Sequence, residues 1–334
     1  MTKIAVAPMI DWTYTHFRVL MRLLAPKITL YTEMQTPGAI LNQPRRALDK
    51  HPIEGDVVLQ LGGSDICGLV AAAQMGEEAG FMAINLNLGC PSDKVQAGRF
   101  GACLMKEPLH VAAIIKALKS AVSIPITAKT RIGVDEEDSF AFFSDFVQHL
   151  VDAGCNELIV HARSAWLKGL SPKQNRMIPP LHYDYVYRIK ERHADIPVIL
   201  NGHVTCIEEV HQHLLLVDGV MLGRLACQNP YAMATIHHDV YQDEPLISRS
   251  HALQHYLDYA VLVADARPNT SLALLLKPLY NMMHGMPYAK RWKEALMSAQ
   301  SQALSPGVQE LHGWLQHFIS QGGFGMNADF ENVF

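Results

Sequence analysis

No stretch of this chain approaches the roughly 18 uninterrupted apolar residues of a membrane-spanning helix, so no span is expected. No low-complexity run interrupts it. The six cysteines (67, 90, 103, 155, 206 and 227) form no CxxC pair and no metal-ligand spacing. That pattern argues against a metal site and fits reduced thiols in a cytoplasmic protein. Neither a GxGxxG nor a P-loop is present, so a tightly bound mononucleotide fits better than a Rossmann-held dinucleotide. Net charge is small: 28 Lys+Arg stand against 32 Asp+Glu, or −4. Taken alone, that balance argues against a nucleic-acid partner. The opening Met1-Thr2-Lys3-Ile4-Ala5-Val6-Ala7-Pro8 is too short for a secretory signal and reads as a first strand.

The 334 residues, 49% apolar and 18% charged, leave room for one large domain and one small one. Eight β-branched or apolar runs stand out, at 4–8, 30–34, 57–61, 83–88, 126–131, 158–161, 197–201 and 219–223. Helical segments at 67–80, 108–122, 139–154 and 183–192 lie between some of them. Runs this continuous suit strands buried on both faces of a parallel sheet. The class is α/β: a (β/α)8 TIM barrel over residues 1–240. After it the strand signals stop. Segments 250–267, 270–284, 288–303 and 306–321 have helical period, so a small C-terminal helical bundle is expected over 245–323, followed by a tail at 324–334.

Each apolar run ends in something polar or conformationally special, and barrel enzymes build their sites at that C-terminal rim. The fourth end carries most. Asn85 and Asn87 alternate on a strand that closes with Gly89, Cys90 and Pro91, under a loop holding Lys94 and Arg99. Cys90 reads either as a small buried hydrophobe or as a general acid. A thiol of ordinary pKa, about 8.5, is protonated at neutral pH and can give its proton to carbon. Lys129, mid-strand with Thr127 and Arg131 on the same face, needs an anionic partner if it points into a lumen. A reduced flavin would supply one; a Schiff-base lysine or a snorkelling side chain are the alternatives. His161 is either a backbone-bonded core histidine or a donor to a bound ring. Gln60 and Asn201 can hold a planar heterocycle. Asn201-Gly202-His203 and Gly223-Arg224 fall where barrels bind phosphate. Two basic stretches without acids, 163–176 and 277–293, are interleaved with Trp166, Tyr280, Tyr288 and Trp292. They are either solvated faces or phosphate contacts beside stacking surfaces. Residues 245–323 carry six Lys+Arg and four Asp+Glu.

From about residue 4 to 320 the chain closely resembles the tRNA-dihydrouridine synthases, A-type subfamily. The matching strings include Ala7-Pro8-Met9-Ile10-Asp11, Tyr31-Thr32-Glu33-Met34, Leu59-Gln60-Leu61-Gly62-Gly63 and Asn85-Leu86-Asn87-Leu88-Gly89-Cys90-Pro91. Further matches are Lys129-Thr130-Arg131, His161-Ala162-Arg163, Gly169-Leu170-Ser171-Pro172-Lys173-Gln174-Asn175-Arg176 and Asp218-Gly219-Val220-Met221-Leu222-Gly223-Arg224. The resemblance implies bound FMN, NADPH as electron donor, and reduction of uridines 20 and 20a in the tRNA D-loop. Hydride would pass from reduced FMN to C6, and a proton from Cys90 to C5. FMN would contact Pro8, Met9, Ile10, Gln60, Lys129, His161, Asn201, Gly202, His203, Gly223 and Arg224. Asn87 would touch the target uridine, and Lys173, Asn175, Arg176, Lys277, Lys290 and Arg291 would orient the tRNA. His203 stands where the family usually has glycine, and Lys277 and Lys290 where arginine is common. A monomer without membrane or metal partners is expected. The rival readings are an FMN barrel acting on a small pyrimidine, which would work without tRNA, and a non-catalytic tRNA-binding module, which would purify colourless.

Overall fold

The computed structural model describes residues 3–242 and 245–320. The expected tail at 324–334, and residues 321–323 of the expected helical region, lie outside them. Among the described residues eight strands form one parallel sheet: β1 Lys3–Val6, β2 Leu30–Tyr31, β3 Val57–Leu61, β4 Ala83–Leu88, β5 Ile126–Arg131, β6 Glu157–His161, β7 Val198–Asn201 and β8 Gly219–Leu222. They are ordered β1-β8-β7-β6-β5-β4-β3-β2, and a parallel bridge from Ala5 to Thr29 nearly closes the barrel between β1 and β2. The sequence predicts β2 over 30–34, yet its ladder covers two residues. Thr32 is the reason: its hydroxyl takes the Gln60 N–H at 3.0 Å, where a strand would offer a backbone carbonyl. Pairing resumes only as a bridge from Gln35 to Leu61.

Two compact units make up the chain. Among the described residues, the first comprises 3–13 and 29–223, and the second 14–28, 224–242 and 245–320. The boundary therefore falls at Gly223–Arg224 rather than at 240–245, and the helical unit takes in Thr15–Leu24 near the chain start. Contacts 243 and 260 residues apart in sequence explain that membership. His16 Nδ1 lies 2.6 Å from the Tyr259 hydroxyl, and the Tyr14 hydroxyl donates to the Leu274 carbonyl at 2.9 Å. The helical unit also holds Arg224–Gln228, Ala232–Tyr241, Arg249–Ala266, Ala289–Gln300 and Leu304–Ser320. The expected helix over 270–284 is reduced to Leu272–Leu276 and a short 3₁₀ turn, Lys277–Leu279. Pro278 cannot donate and its ring crowds the preceding turn.

Sheet register and burial sort the lumen of the first unit into two halves. Ala5, Ala7, Tyr31, Val58, Ala83, Ile159, Ile199 and Met221 pack into one apolar cluster, with Met9 against it. On the strands from β3 to β6, alternate positions following the same pleat are polar: Gln60, Asn85, Asn87, Thr127, Lys129, Arg131 and His161. Strand alternation fixes this, because residues i and i+2 share a face.

Candidate active site

Cys90 sits just past the C-terminal end of β4, half-buried. Its position is set by Asn87, whose Oδ1 accepts the backbone N–H of Gly89 at 3.2 Å and of Cys90 at 3.0 Å. The sulfur lies 3.5 Å from the Ser92 hydroxyl. Gly101 follows with φ +77, and a Cβ there would stand 2.5 Å from the Cys90 carbonyl. That close approach lets the Ala102 N–H donate to the Cys90 carbonyl at 3.0 Å, so the turn is held from both sides.

Beside it lies a cluster of cations. Lys129 Nζ, half-buried, donates to Asn201 Oδ1 at 3.1 Å, and Asn201 Nδ2 donates to the Met221 carbonyl at 2.7 Å. Burial pulls the Lys129 ammonium from 10.5 down to about 7; the Arg131 charge adds to this and Cys90 opposes it. Burial likewise lowers the Arg131 guanidinium to about 9, with Cys90 opposing and Arg176 and Arg163 adding to the fall. Arginine remains charged at neutral pH all the same. His161 is pushed well below 6.5 by burial and then by Arg131, Lys129, Arg163 and Arg176. It is therefore a neutral imidazole with one donor and one acceptor. Arg131, which the sequence reading gave no role, ties the rim together. Its Nε donates to the Gly89 carbonyl at 3.2 Å, and its Nη1 to the Asn175 carbonyl at 2.9 Å and the Ser164 carbonyl at 3.4 Å. Gln96 Nε2 adds a second tie, to the carbonyls of Pro91 at 2.8 Å and Leu167 at 2.7 Å.

The remaining expected residues divide. Pro8, Met9 and Gly223 are half-buried at the mouth, and Ile10 is 55% exposed. Gly202 is buried with φ +131, and a Cβ there would meet His161 Cδ2 at 2.9 Å. His203 takes φ +56, the conformation glycine favours, with its side chain exposed. It retains the left-handed backbone without turning inward. Arg224 opens the second unit, and is half-buried there. Lys173 and Arg176 are exposed.

Several expectations change. Asn175 does not face outward: it is fully buried. Its Oδ1 accepts the Trp166 N–H at 2.7 Å, and its Nδ2 donates to the carbonyls of Trp166 at 2.9 Å and Leu170 at 3.1 Å. Its chemistry is spent on folding the loop that carries Lys173 and Arg176. The buried Gln60 and Asn85 side chains bond each other, Gln60 Nε2 donating to Asn85 Oδ1 at 2.8 Å. In the helical unit Trp292 offers no stacking surface. It is fully buried, with its indole N–H donating to the Leu279 carbonyl at 2.8 Å. Lys277 is half-buried, Lys290 and Arg291 are exposed, and Lys290 lies 3.9 Å from Glu294. No group of three or more His, Cys, Asp or Glu among the described residues could hold a metal ion. No helix among them is long and apolar enough to cross a membrane.

A thiol on a braced turn beside cations, above neutral amides, has the chemistry to give a proton to a bound ligand. The family model described as dihydrouridine synthase (Dus) matches residues 5–318. The chain belongs to the dihydrouridine synthase family. Enzymes of this family are flavin-dependent oxidoreductases acting on tRNA. The protein named tRNA-dihydrouridine(20/20a) synthase from Xanthomonas axonopodis pv. citri is 44% identical over 315 residues, 93% of this chain and 91% of its own. Its namesake from Synechocystis is 44% identical over 315 residues, 94% and 93% of the two chains. That from Shewanella oneidensis is 43% identical over 293 residues, 87% of each.

Proposed function

We propose that this protein reduces uridines 20 and 20a of the tRNA D-loop to dihydrouridine, using FMN as resident cofactor and NADPH as electron donor, in the cytoplasm. The observation that carries the reading is Cys90, held by Asn87 at the barrel rim beside Lys129 and Arg131. Membership of the dihydrouridine synthase family and relatives named for tRNA-dihydrouridine synthesis support it.

The donor set fits an anionic mononucleotide. Lys129 loses much of its proton affinity to burial and to a neighbouring cation, which an anion would restore. Gly202 leaves no room for a side chain against His161, so backbone N–H groups can come close to a ligand. Neutral His161 and Asn201 can bond a ring's heteroatoms without adding charge. Bound and reduced, FMN would supply the hydride chemistry at C6 of uracil. The Cys90 S–H then delivers its proton to C5, and the thiolate left behind lies in the field of Lys129 and Arg131. Because Cys90 is half-buried rather than sealed, solvent can reprotonate it. A uridine reaches this depth only by leaving its stack. Exposed Lys173, Arg176, Lys290 and Arg291 are suited to phosphate contacts, and half-exposed Trp166 to stacking.

The test is a visible absorption spectrum of the purified protein, repeated after NADPH and then after undermodified tRNA. Flavin bands that bleach with NADPH and return anaerobically only with tRNA are expected. Return with a free pyrimidine would replace tRNA by a small-molecule substrate. A colourless protein that FMN cannot reconstitute would remove the mechanism.

A further inference from the structure

Beneath Cys90 the polar half of the lumen contains a single file of side-chain hydrogen bonds. Thr127 Oγ1 donates to the Ile84 carbonyl at 3.3 Å. Asn85 Nδ2 donates to Thr127 Oγ1 at 2.9 Å, Gln60 Nε2 to Asn85 Oδ1 at 2.8 Å, and Asn87 Nδ2 to Gln60 Oε1 at 3.0 Å. The backbone N–H of Cys90 donates to Asn87 Oδ1 at 3.0 Å. Register brings these residues together, since Gln60 pairs with Asn85 and Asn85 with Thr127 across three neighbouring strands.

The file has one permitted direction. A backbone carbonyl can only accept, and closes the lower end. Backbone N–H groups can only donate, and close the upper end. Every amide between them must therefore point the same way. Asn85, Gln60 and Thr127 are 0%, 1% and 6% exposed, so water cannot rescue a reversed amide, and a buried donor facing a donor is costly. With Oδ1 of Asn87 engaged by the N–H groups of Gly89 and Cys90, and one Nδ2 hydrogen engaged by Gln60, Asn87 has a single N–H left for a ligand.

We propose that Thr127, Asn85 and Gln60 are positioning residues for Cys90. They fix the orientation of the Asn87 amide, and that amide fixes the turn carrying the thiol. The proposal rests on the reading of Cys90 as the acid. Packing alone does not require it, because a lumen layer closes equally well with apolar side chains, as the opposite half of this barrel does.

Thr127 is the decisive position, because it lies at the far end of the file from Cys90. Thr127→Val keeps the shape and removes the hydroxyl; Thr127→Ser keeps the hydroxyl. Two readouts are needed: hydrogen exchange of the Cys90 amide in flavin-free protein, and kcat against KM for undermodified tRNA in the holoenzyme. For Thr127→Val the Cys90 amide should exchange about 10-fold faster and kcat should fall about 10-fold, with KM within about 2-fold, as expected for loss of a hydrogen bond worth about 1.4 kcal/mol. Thr127→Ser should match the wild type in both. A folded Thr127→Val protein with wild-type exchange at Cys90 and wild-type kcat would overturn the proposal. If that variant does not fold, Thr127→Ala carries the same comparison. Full turnover by Cys90→Ala would instead remove the acid assignment, and the exchange measurement on flavin-free protein would still decide the file.

Discussion

Replacing Lys129 with methionine tests the electrostatics of the lumen, because the outcome has opposite signs with and without an anion. In the folded, ligand-free protein the ammonium titrates at about 7, chiefly through burial and then through Arg131; in the unfolded chain it titrates near 10.4. Between those values the unfolded state binds more protons than the folded one, so stability rises with pH across that window. Below pH 7 the charge is present in both states and the full penalty stands. A displacement of about 3.5 pH units corresponds to a ceiling of about 5 kcal/mol. Partial exposure of Lys129 and loss of its bond to Asn201 reduce the net gain to about 2 kcal/mol. Flavin-free Lys129→Met should therefore be about 2 kcal/mol more stable than wild type at pH 6, with the gain vanishing by about pH 9. Urea titration at several pH values measures this. With an anion bound the sign reverses: an opposite charge about 4 Å from Nζ at an effective dielectric near 20 contributes about 4 kcal/mol. FMN should then bind the variant about 100- to 1,000-fold more weakly, read by flavin fluorescence. Parallel pH profiles for the two proteins, or equal FMN affinities, would refute the reasoning.

Three further outcomes follow from the same geometry. Cys90→Ala should retain bound flavin and its bleaching by NADPH but lose about 100- to 10,000-fold in uridine reduction, the usual range for a positioned acid; single-turnover kinetics with undermodified tRNA would expose an unimpaired variant. Gly202→Ala should destabilise the barrel by about 2–4 kcal/mol and weaken FMN binding, since its φ of +131 and its 2.9 Å approach to His161 combine backbone strain with overpacking; a thermal melt equal to wild type contradicts this. Trp292→Ala should cost about 3–5 kcal/mol in the helical unit, whereas Arg291→Ala should leave stability within about 0.5 kcal/mol and reduce tRNA affinity with a shallower salt dependence. Equal tRNA binding by Arg291→Ala across salt concentrations would take that residue out of the interface.

The parts legible in the sequence were those with a local signal. Strands buried on both faces read as unbroken apolar runs, so seven of the eight lie close to their expected places; the eighth was cut short by Thr32, whose hydroxyl replaces a backbone acceptor. The position of Cys90 at a strand end was legible because Gly89 and Pro91 flank it. What stayed hidden depended on partners far away in the chain. Nothing local marks Thr15–Leu24 as part of the helical unit, since what ties it there is His16 meeting Tyr259, 243 residues on. The hydrogen bond between Gln60 and Asn85 stayed hidden because strand position reveals which face a residue takes, but not which side chain stands opposite. Trp292 lay in a basic stretch and suggested stacking, yet its indole N–H found a backbone carbonyl 13 residues back. Asn175 shows the same limit. A polar residue in a basic loop suggests contact with RNA, while its hydrogen bonds fold that loop.

Arg131 shows why the site is built at a cost to stability. Backbone carbonyls of Gly89, Ser164 and Asn175 accept its hydrogen bonds, so its charge is solvated by dipoles among the described residues. Burial and two neighbouring arginines oppose that charge, and apolar packing usually stabilises an interior better than a buried ion does. Three carbonyls could be bridged by any suitably placed donor, so bracing the rim does not by itself call for a permanent cation. The proposed proton transfer would: with Cys90 as the acid, the thiol begins neutral and ends as a thiolate, and a cation anchored to its own turn through Gly89 would favour the second state without having to move. Lys129 cannot hold that role alone, because its ammonium, at about 7, is near half-titrated at neutral pH in the ligand-free protein. A guanidinium stays charged throughout, and its planar fork reaches the Cys90 turn and the loop of Lys173 and Arg176 together, so on the proposed mechanism the group that would stabilise the thiolate also braces the turn that carries it.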